Sequence, residues 1–129
     1  MSNRRRNLLS LYRAEFLRSR VWFARRDRWF AEETGHGREL VCVGCGRAAG
    51  KQQLELHHLD YGGLILKQDR WIAREAHDDL IPLHPYCHDL LHRLIDRDPV
   101  LSRGRTRREA TRLALERLTP VLRNTEEAS

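Results

Sequence analysis

Apolar residues recur along the chain at two different periods, and the change from one to the other marks out the elements. Through residues 4 to 33 the spacing is helical: Leu8, Leu9, Leu11, Tyr12, Phe16 and Leu17 make one apolar face, and Trp22, Trp29 and Phe30 make a second. Both fit a 3.6-residue repeat, and Ser19 between them is a residue type that caps helix N-termini, so two consecutive helices are expected. Gly35 and Gly37 end that region. Leu54 to His58 alternates Leu, Glu, Leu, His, as a short strand does. Leu80 to Leu83 reads as a second strand. The connection between them, with Gly62, Gly63, Leu64 to Leu66 and Arg70 to Ala76, gives no settled period. Pro85 then opens a helix to about Asp96, since a residue without an N–H costs nothing in the first turn. After Pro99, Thr106 and Glu109 stand at capping-box spacing ahead of an apolar side made of Ala110, Leu113, Ala114 and Leu118. The whole reads as an α+β fold with a basic helical arm over residues 1–36, a central module over 37–98 and a basic C-terminal helix over 99–129.

Composition sharpens this picture in two ways. At 129 residues, with 33% charged and 7% aromatic residues, the apolar core is small enough that a metal staple is expected. The net charge of +6 is unevenly spread: residues 1–30 carry nine Arg against Glu15 and Asp27, whereas residues 31–100 carry eight bases against twelve acids. Residues 101–129 carry seven Arg against four acids. Basic flanks around a mildly acidic middle suit a polyanion gripped at the ends and cations held at the centre. Arg4, Arg5, Arg6, Arg103, Arg105, Arg107 and Arg108 are therefore candidate phosphate contacts, against the plainer reading of solvated helix faces. No run approaches the ~18 apolar residues of a membrane span, and the Arg-rich start lacks the apolar stretch of a secretory signal, so a cytoplasmic protein is expected.

The middle holds all three cysteines and, between residues 57 and 92, six of the seven histidines. Cys42 and Cys45 have C-x-x-C spacing in a glycine-containing turn, and His84 and Cys87 have H-x-x-C spacing. Two such half-sites supply the four N and S ligands of a closed structural zinc, whereas a redox pair would come with a thioredoxin-like pattern that is absent. The bland alternative is a core histidine beside free thiols. A second constellation interleaves with the first. His88 and His92 are four residues apart on the expected helix and share a face, while Cys87 points about 100° away from His88. His57 and His58 end the first strand, where adjacent side chains diverge, so His57 is free to turn to the helix and His58 to a substrate.

The order Cys42-x-x-Cys45, then Glu55-Leu56-His57-His58, then Asp79 through His84, Cys87, His88 and His92 resembles the HNH endonucleases, and the double histidine with H-x-x-x-H resembles the bacterial toxin DNases among them. The likeness covers roughly residues 42 to 92. It implies a ββα-metal finger, two strands and a helix framing one catalytic divalent ion on His57, His88 and His92, with Mg, Mn, Ni or Zn as candidates. It further implies His58 as general base, DNA as substrate and products with a 5′ phosphate and a 3′ hydroxyl. Two positions depart from the family pattern. His84 stands where a cysteine is usual, and imidazole serves zinc equally well. Asp79 stands at the family's central Asn, which steadies the loop bearing the base by hydrogen bonding, with Asp78 beside it as a substitute. Small free-standing proteins of this family often occur in phages, where larger DNA-processing partners are expected. A non-catalytic zinc-binding adaptor for nucleic acid or protein is the competing class. It accounts for Cys42, Cys45, His84, Cys87 and the basic ends, and leaves His57, His58, His88 and His92 without work.

Overall fold

The computed structural model describes residues 15–127, so the expected first helical face at Leu8, Leu9, Leu11 and Tyr12, and the basic cluster of Arg4, Arg5 and Arg6, lie outside the described residues. A single 3-10 turn, Phe16–Arg18, leads into helix α1 (Arg20–Gly35). Ser19 caps that helix as expected, its hydroxyl accepting from the Trp22 N–H at 3.2 Å. Trp22, Arg25 and Trp29 follow at helical spacing on the buried face, joined by Phe30.

Strand β1 (Glu55–His58) is followed by two strands, β2 (Leu64–Lys67) and β3 (Arg70–Ala73), and then by β4 (Leu80–Leu83). These four strands form two antiparallel pairs: β1 with β4, in register Glu55↔Leu83 and His58↔Leu80, and β2 with β3, in register Leu64↔Ala73 and Lys67↔Arg70. The stretch without a settled period is thus a hairpin. Its two-residue turn places Gln68 at φ 49° and Asp69 at φ 61°. Turns with positive φ at both central positions match the twist of paired strands, and usually advertise themselves with Asn-Gly or Asp-Gly. Here the turn lacks glycine and β2 leaves Ile65 and Leu66 exposed, so neither turn chemistry nor alternation marked it.

Pro85 opens helix α2 (Pro85–Arg97), one residue longer than expected, and Asp98 caps a single turn, α3 (Pro99–Ser102), accepting from Val100 N at 2.9 Å. Helix α4 (Arg107–Glu127) begins where Thr106 Oγ1 accepts from Glu109 N at 3.1 Å, the backbone half of a capping box, and it continues through Pro120. One core joins all of these elements: Phe16, Trp22 and Trp29 meet Leu54, Leu83 and Leu91, and Leu101 and Ala114 close it from the C-terminal side. The C-terminal helix is part of that core and no detached arm. No helix among the described residues is long and apolar enough to cross a membrane.

Between β1 and β2 the chain passes hard against the backbone just after β3. A Cβ on Gly63 would stand 2.6 Å from the Arg74 carbonyl carbon and oxygen and from Glu75 N. Backbone atoms cannot swing aside as a flexible side chain does. Gly63→Ala is therefore expected to destabilise the fold by about 1–3 kcal/mol, the range for forced overpacking. A fall in the urea midpoint at unchanged slope would register it, and an unmoved midpoint would mean that the loop yields freely.

Candidate metal centres

The first centre is built by a tight turn docked on β4. Cys42 N donates to Arg47 O at 3.0 Å, Gly46 N donates to Cys42 O at 2.9 Å, and Gly46 adopts φ 79°, a left-handed conformation that favours glycine. Val43 N donates to Pro82 O at 3.0 Å, which fixes the turn beside the strand. Gly44 is needed for proximity: a Cβ there would stand 3.0 Å from the Cys87 Cβ. His84 follows β4 and Cys87 lies in the first turn of α2. The ligand atoms of Cys42, Cys45, His84 and Cys87 all lie within 4.8 Å of one another, with Cys45 Sγ 3.3 Å from His84 Nδ1. With Zn–S near 2.3 Å and Zn–N near 2.0–2.1 Å, tetrahedral ligand atoms are roughly 3.4–3.8 Å apart, so this group is of a size to hold zinc.

Its thiols are differentiated. Burial alone would raise Cys42, but hydrogen bonds from the backbone N–H groups of His84, Cys45 and Gly44 outweigh it and bring that thiol down. Burial and the neighbouring Cys42 and Cys45 sulfurs push Cys87 up to about 12. Cys42 thus faces backbone dipoles that would also support a metal-bound sulfur.

The second centre lies across β1 and α2. His57 Nδ1 is 3.2 Å from His88 Nε2, which is 3.0 Å from His92 Nε2. One imidazole nitrogen cannot satisfy two others as a donor and an acceptor at once. Ligands that share one ion at about 2.0–2.2 Å stand ~2.9–3.5 Å apart, which the observed separations match. These three histidines form a group able to hold a metal ion. Two of them are braced from behind, as ligand imidazoles usually are. Thr111 Oγ1 lies 3.0 Å from His57 Nε2, and Glu55 Oε1 lies 3.1 Å from His88 Nδ1. Burial first, then the Arg107 guanidinium and the imidazoles of His88 and His92, hold His57 well below the usual histidine range. It stands as the neutral ring that metal ligation requires.

Adjacent side chains diverge as the strand period demands. His57 turns to α2, and His58 turns to the other side of β1, into a buried slot where its ring lies between Tyr61 at 5.4 Å and Trp22 at 4.8 Å. Its Nε2 lies 2.7 Å from Glu75 Oε2. Arg107 Nε donates to the His58 carbonyl at 2.6 Å, and the Arg107 guanidinium sits 4.5 Å from the Tyr61 ring centre. Arg107, Tyr61, His88 and His92 line one groove of about 570 Å³ together with Glu55 and Asp89.

Asp79 is placed otherwise than a residue that touches the base. Its carboxylate pairs with Arg108, while its backbone oxygen accepts from Leu59 N at 2.7 Å, directly after His58. Asp78 is exposed. Among the basic candidates, Arg105 Nε donates to Val100 O at 2.9 Å and Arg108 is engaged by Asp79, so both are tied into the fold. Arg103 is exposed. His77, which carried no assignment, sits between Glu32 and Glu33 at 2.5 Å each and stacks on Trp29, a structural histidine. The pattern along the chain did not reveal Thr111, Glu75 or the bracing use of Arg107. Each acts across a long sequence separation, and only the histidines they touch carry a spacing signal.

Comparisons with protein-family models, with curated proteins and with solved structures give no match to this chain.

Two outcomes are expected at these centres. Structural zinc in small modules contributes an apparent ~10–16 kcal/mol, so Cys42→Ser with Cys87→Ser should cost the central module its zinc and its cooperative unfolding. A folded double variant with full zinc content by metal analysis would refute the assignment. Thr111→Val keeps the side-chain shape and deletes the hydroxyl behind His57. It is expected to weaken divalent-ion binding at the histidine centre ~10–100-fold in a metal titration while leaving the cysteine-bound zinc in place.

Proposed function

We propose that this chain is a metal-dependent endonuclease that hydrolyses DNA phosphodiester bonds, with β1, β4 and α2 acting as a ββα-metal finger of the HNH kind. The observation that carries the reading is the convergence of three imidazole nitrogens at ligand spacing, with a fourth histidine leaving the same strand end in the opposite direction. Hydrolysis of a phosphodiester needs such a division, one set of groups for the cation and one group kept for the proton. A structural zinc alone would leave this arrangement without purpose.

His57, His88 and His92 would hold a divalent ion, with Mg, Mn, Ni and Zn as the candidates, and such an ion would supply Lewis-acid chemistry at the phosphate. The chain's own residues do the rest. His58 takes a proton from the attacking water, help that is typically worth ~10²–10⁴ in rate. Arg107 shares the groove with His88 and His92, and there its charge is suited to a phosphate oxygen next to the reacting one. Exposed arginines such as Arg103 contribute contacts that position the duplex without reading its sequence. A zinc on Cys42, Cys45, His84 and Cys87 would hold the loop and the start of α2 together and would take no part in the chemistry. His58 is only 1% exposed, which favours a second reading, a zinc-binding nucleic-acid adaptor in which that ring is a packing element.

Cleavage of supercoiled plasmid by the purified protein decides between the two. A His58→Ala protein that keeps the wild-type fold by circular dichroism should bind DNA and zinc as the wild type does and cut at least ~10²-fold more slowly, with no recovery at high metal concentration. His92→Ala should recover part of its activity as the metal concentration rises, because it loses a ligand and keeps the base. A wild type that binds DNA and cuts it with none of the four ions would establish the adaptor.

A further inference from the structure

The slot that holds His58 contains a carboxylate that the chemistry above leaves unused. Glu75 follows β3 and is buried to 4% exposure, with Oε2 2.7 Å from His58 Nε2. Its other oxygen, Oε1, has no hydrogen-bond partner among the described residues. A buried carboxylate that satisfies one oxygen only is expensive, and folds rarely keep one without a use for it. The surrounding chain also fixes Glu75 tightly. Arg25, itself buried, donates to the Glu75 carbonyl from Nε at 3.1 Å and from Nη2 at 2.8 Å. Arg74 N donates to Gly63 O at 2.8 Å, and the Gly63 backbone presses on the Arg74–Glu75 peptide so closely that no Cβ fits. The ring it meets is just as constrained, with Tyr61 stacked on it, Trp22 tilted against it and Arg107 on its carbonyl.

We propose that Glu75 is a positioning residue for His58, and that its carboxylate holds the imidazole proton on Nε2 so that the lone pair that accepts the proton of the attacking water is on Nδ1. A carboxylate can only accept, so a neutral ring hydrogen-bonded to it must carry its N–H at that edge, which settles the tautomer. When Nδ1 takes the water proton, the ring becomes a cation whose Nε2–H already points at a negative charge. No proton passes to Glu75, and the cation is stabilised where it forms. The role that resemblance placed at Asp79 is thereby divided: the Asp79 carbonyl holds the backbone beyond His58, and Glu75 holds the ring.

This inference rests on the nuclease reading for its consequence, but the tautomer can be read without any cleavage. Long-range proton–nitrogen correlation spectra of the zinc-loaded, ¹⁵N-labelled protein at neutral pH, without DNA, should show His58 as the Nε2–H form. In Glu75→Gln, nearly isosteric and free to present either an oxygen or an NH₂, that signature should give way to a mixture or to the Nδ1–H form. Plasmid cleavage by Glu75→Gln should fall at least ~10-fold in kcat, with KM and the ion dependence close to wild type, and Glu75→Asp should restore part of it. Should Glu75→Gln fail to fold, Glu75→Asp carries the same two measurements, since the shorter arm draws the carboxylate back from the ring. A wild-type His58 found as the Nδ1–H form, or a folded Glu75→Gln with unchanged spectrum and kcat, would overturn the proposal. A wild type that shows the Nε2–H form and cuts no DNA would overturn the nuclease reading, and with it any catalytic use of Glu75, while leaving its hold on the ring established.

Discussion

The ladder between Glu55–His58 and Leu80–Leu83 is four residues long on each side, and both candidate metal centres depend on it. It sets His57 opposite Ile81 and delivers His84 and the start of α2 at its end, so a slip of one residue would turn His57 and His58 to each other's sides. Two isolated strands of this length are at best marginal in water. Four other connections hold them. The cysteine turn hydrogen-bonds to Pro82, the His58 carbonyl is held by Arg107, Leu59 is held by Asp79, and Leu56 and Leu83 are buried in the common core. Ligand geometry and strand pairing are therefore one constraint: whatever keeps the register also keeps the nitrogens together.

That interdependence explains what could be read from the chain and what could not. C-x-x-C, H-x-x-C, the doubled histidine and H-x-x-x-H are short-range patterns, and local geometry carries each of them into space nearly unchanged. The grouping of seven candidate ligand residues into two separate sets was legible for this reason, because strand and helix periods dictate the divergence of His57 from His58 and of Cys87 from His88. The β2–β3 hairpin was not legible, since its turn is made by Gln68 and Asp69 and its strands sit half exposed. Glu75 lies in that same unreadable connection. Thr111 looked like one more polar position on a helix, and its meaning came only when α4 docked on the strand.

The same docking changes what the basic character of the C-terminal segment means. A run of arginines after residue 100 looks like a surface for phosphate, yet Arg105 is tied to a carbonyl of α3, Arg108 to Asp79 and Arg117 to Asp98. Much of this positive charge is used to fasten α4 to the acidic middle. Arg107 does two things at once, bracing β1 through a backbone oxygen while its guanidinium opens onto the groove beside His88 and His92. Net charge is thus a poor count of the cations available to a ligand here. Arg107 thus lines the groove of His88 and His92 and braces the strand that carries His57 and His58.

Thr111 and Arg107 have one more consequence, which concerns time. Chains emerge from the ribosome N-terminus first, at ~5–20 residues per second. His57, His58, His88 and His92 are all made before the helix that carries Thr111 and Arg107. A nascent chain halted after α2 has all seven histidines and all three cysteines, but neither the Thr111 hydroxyl behind His57 nor the Arg107 guanidinium on the His58 carbonyl. The histidine cluster is braced in part by an element made after all of its histidines, so the newborn protein passes through a stage in which these rings are present before two of their braces are.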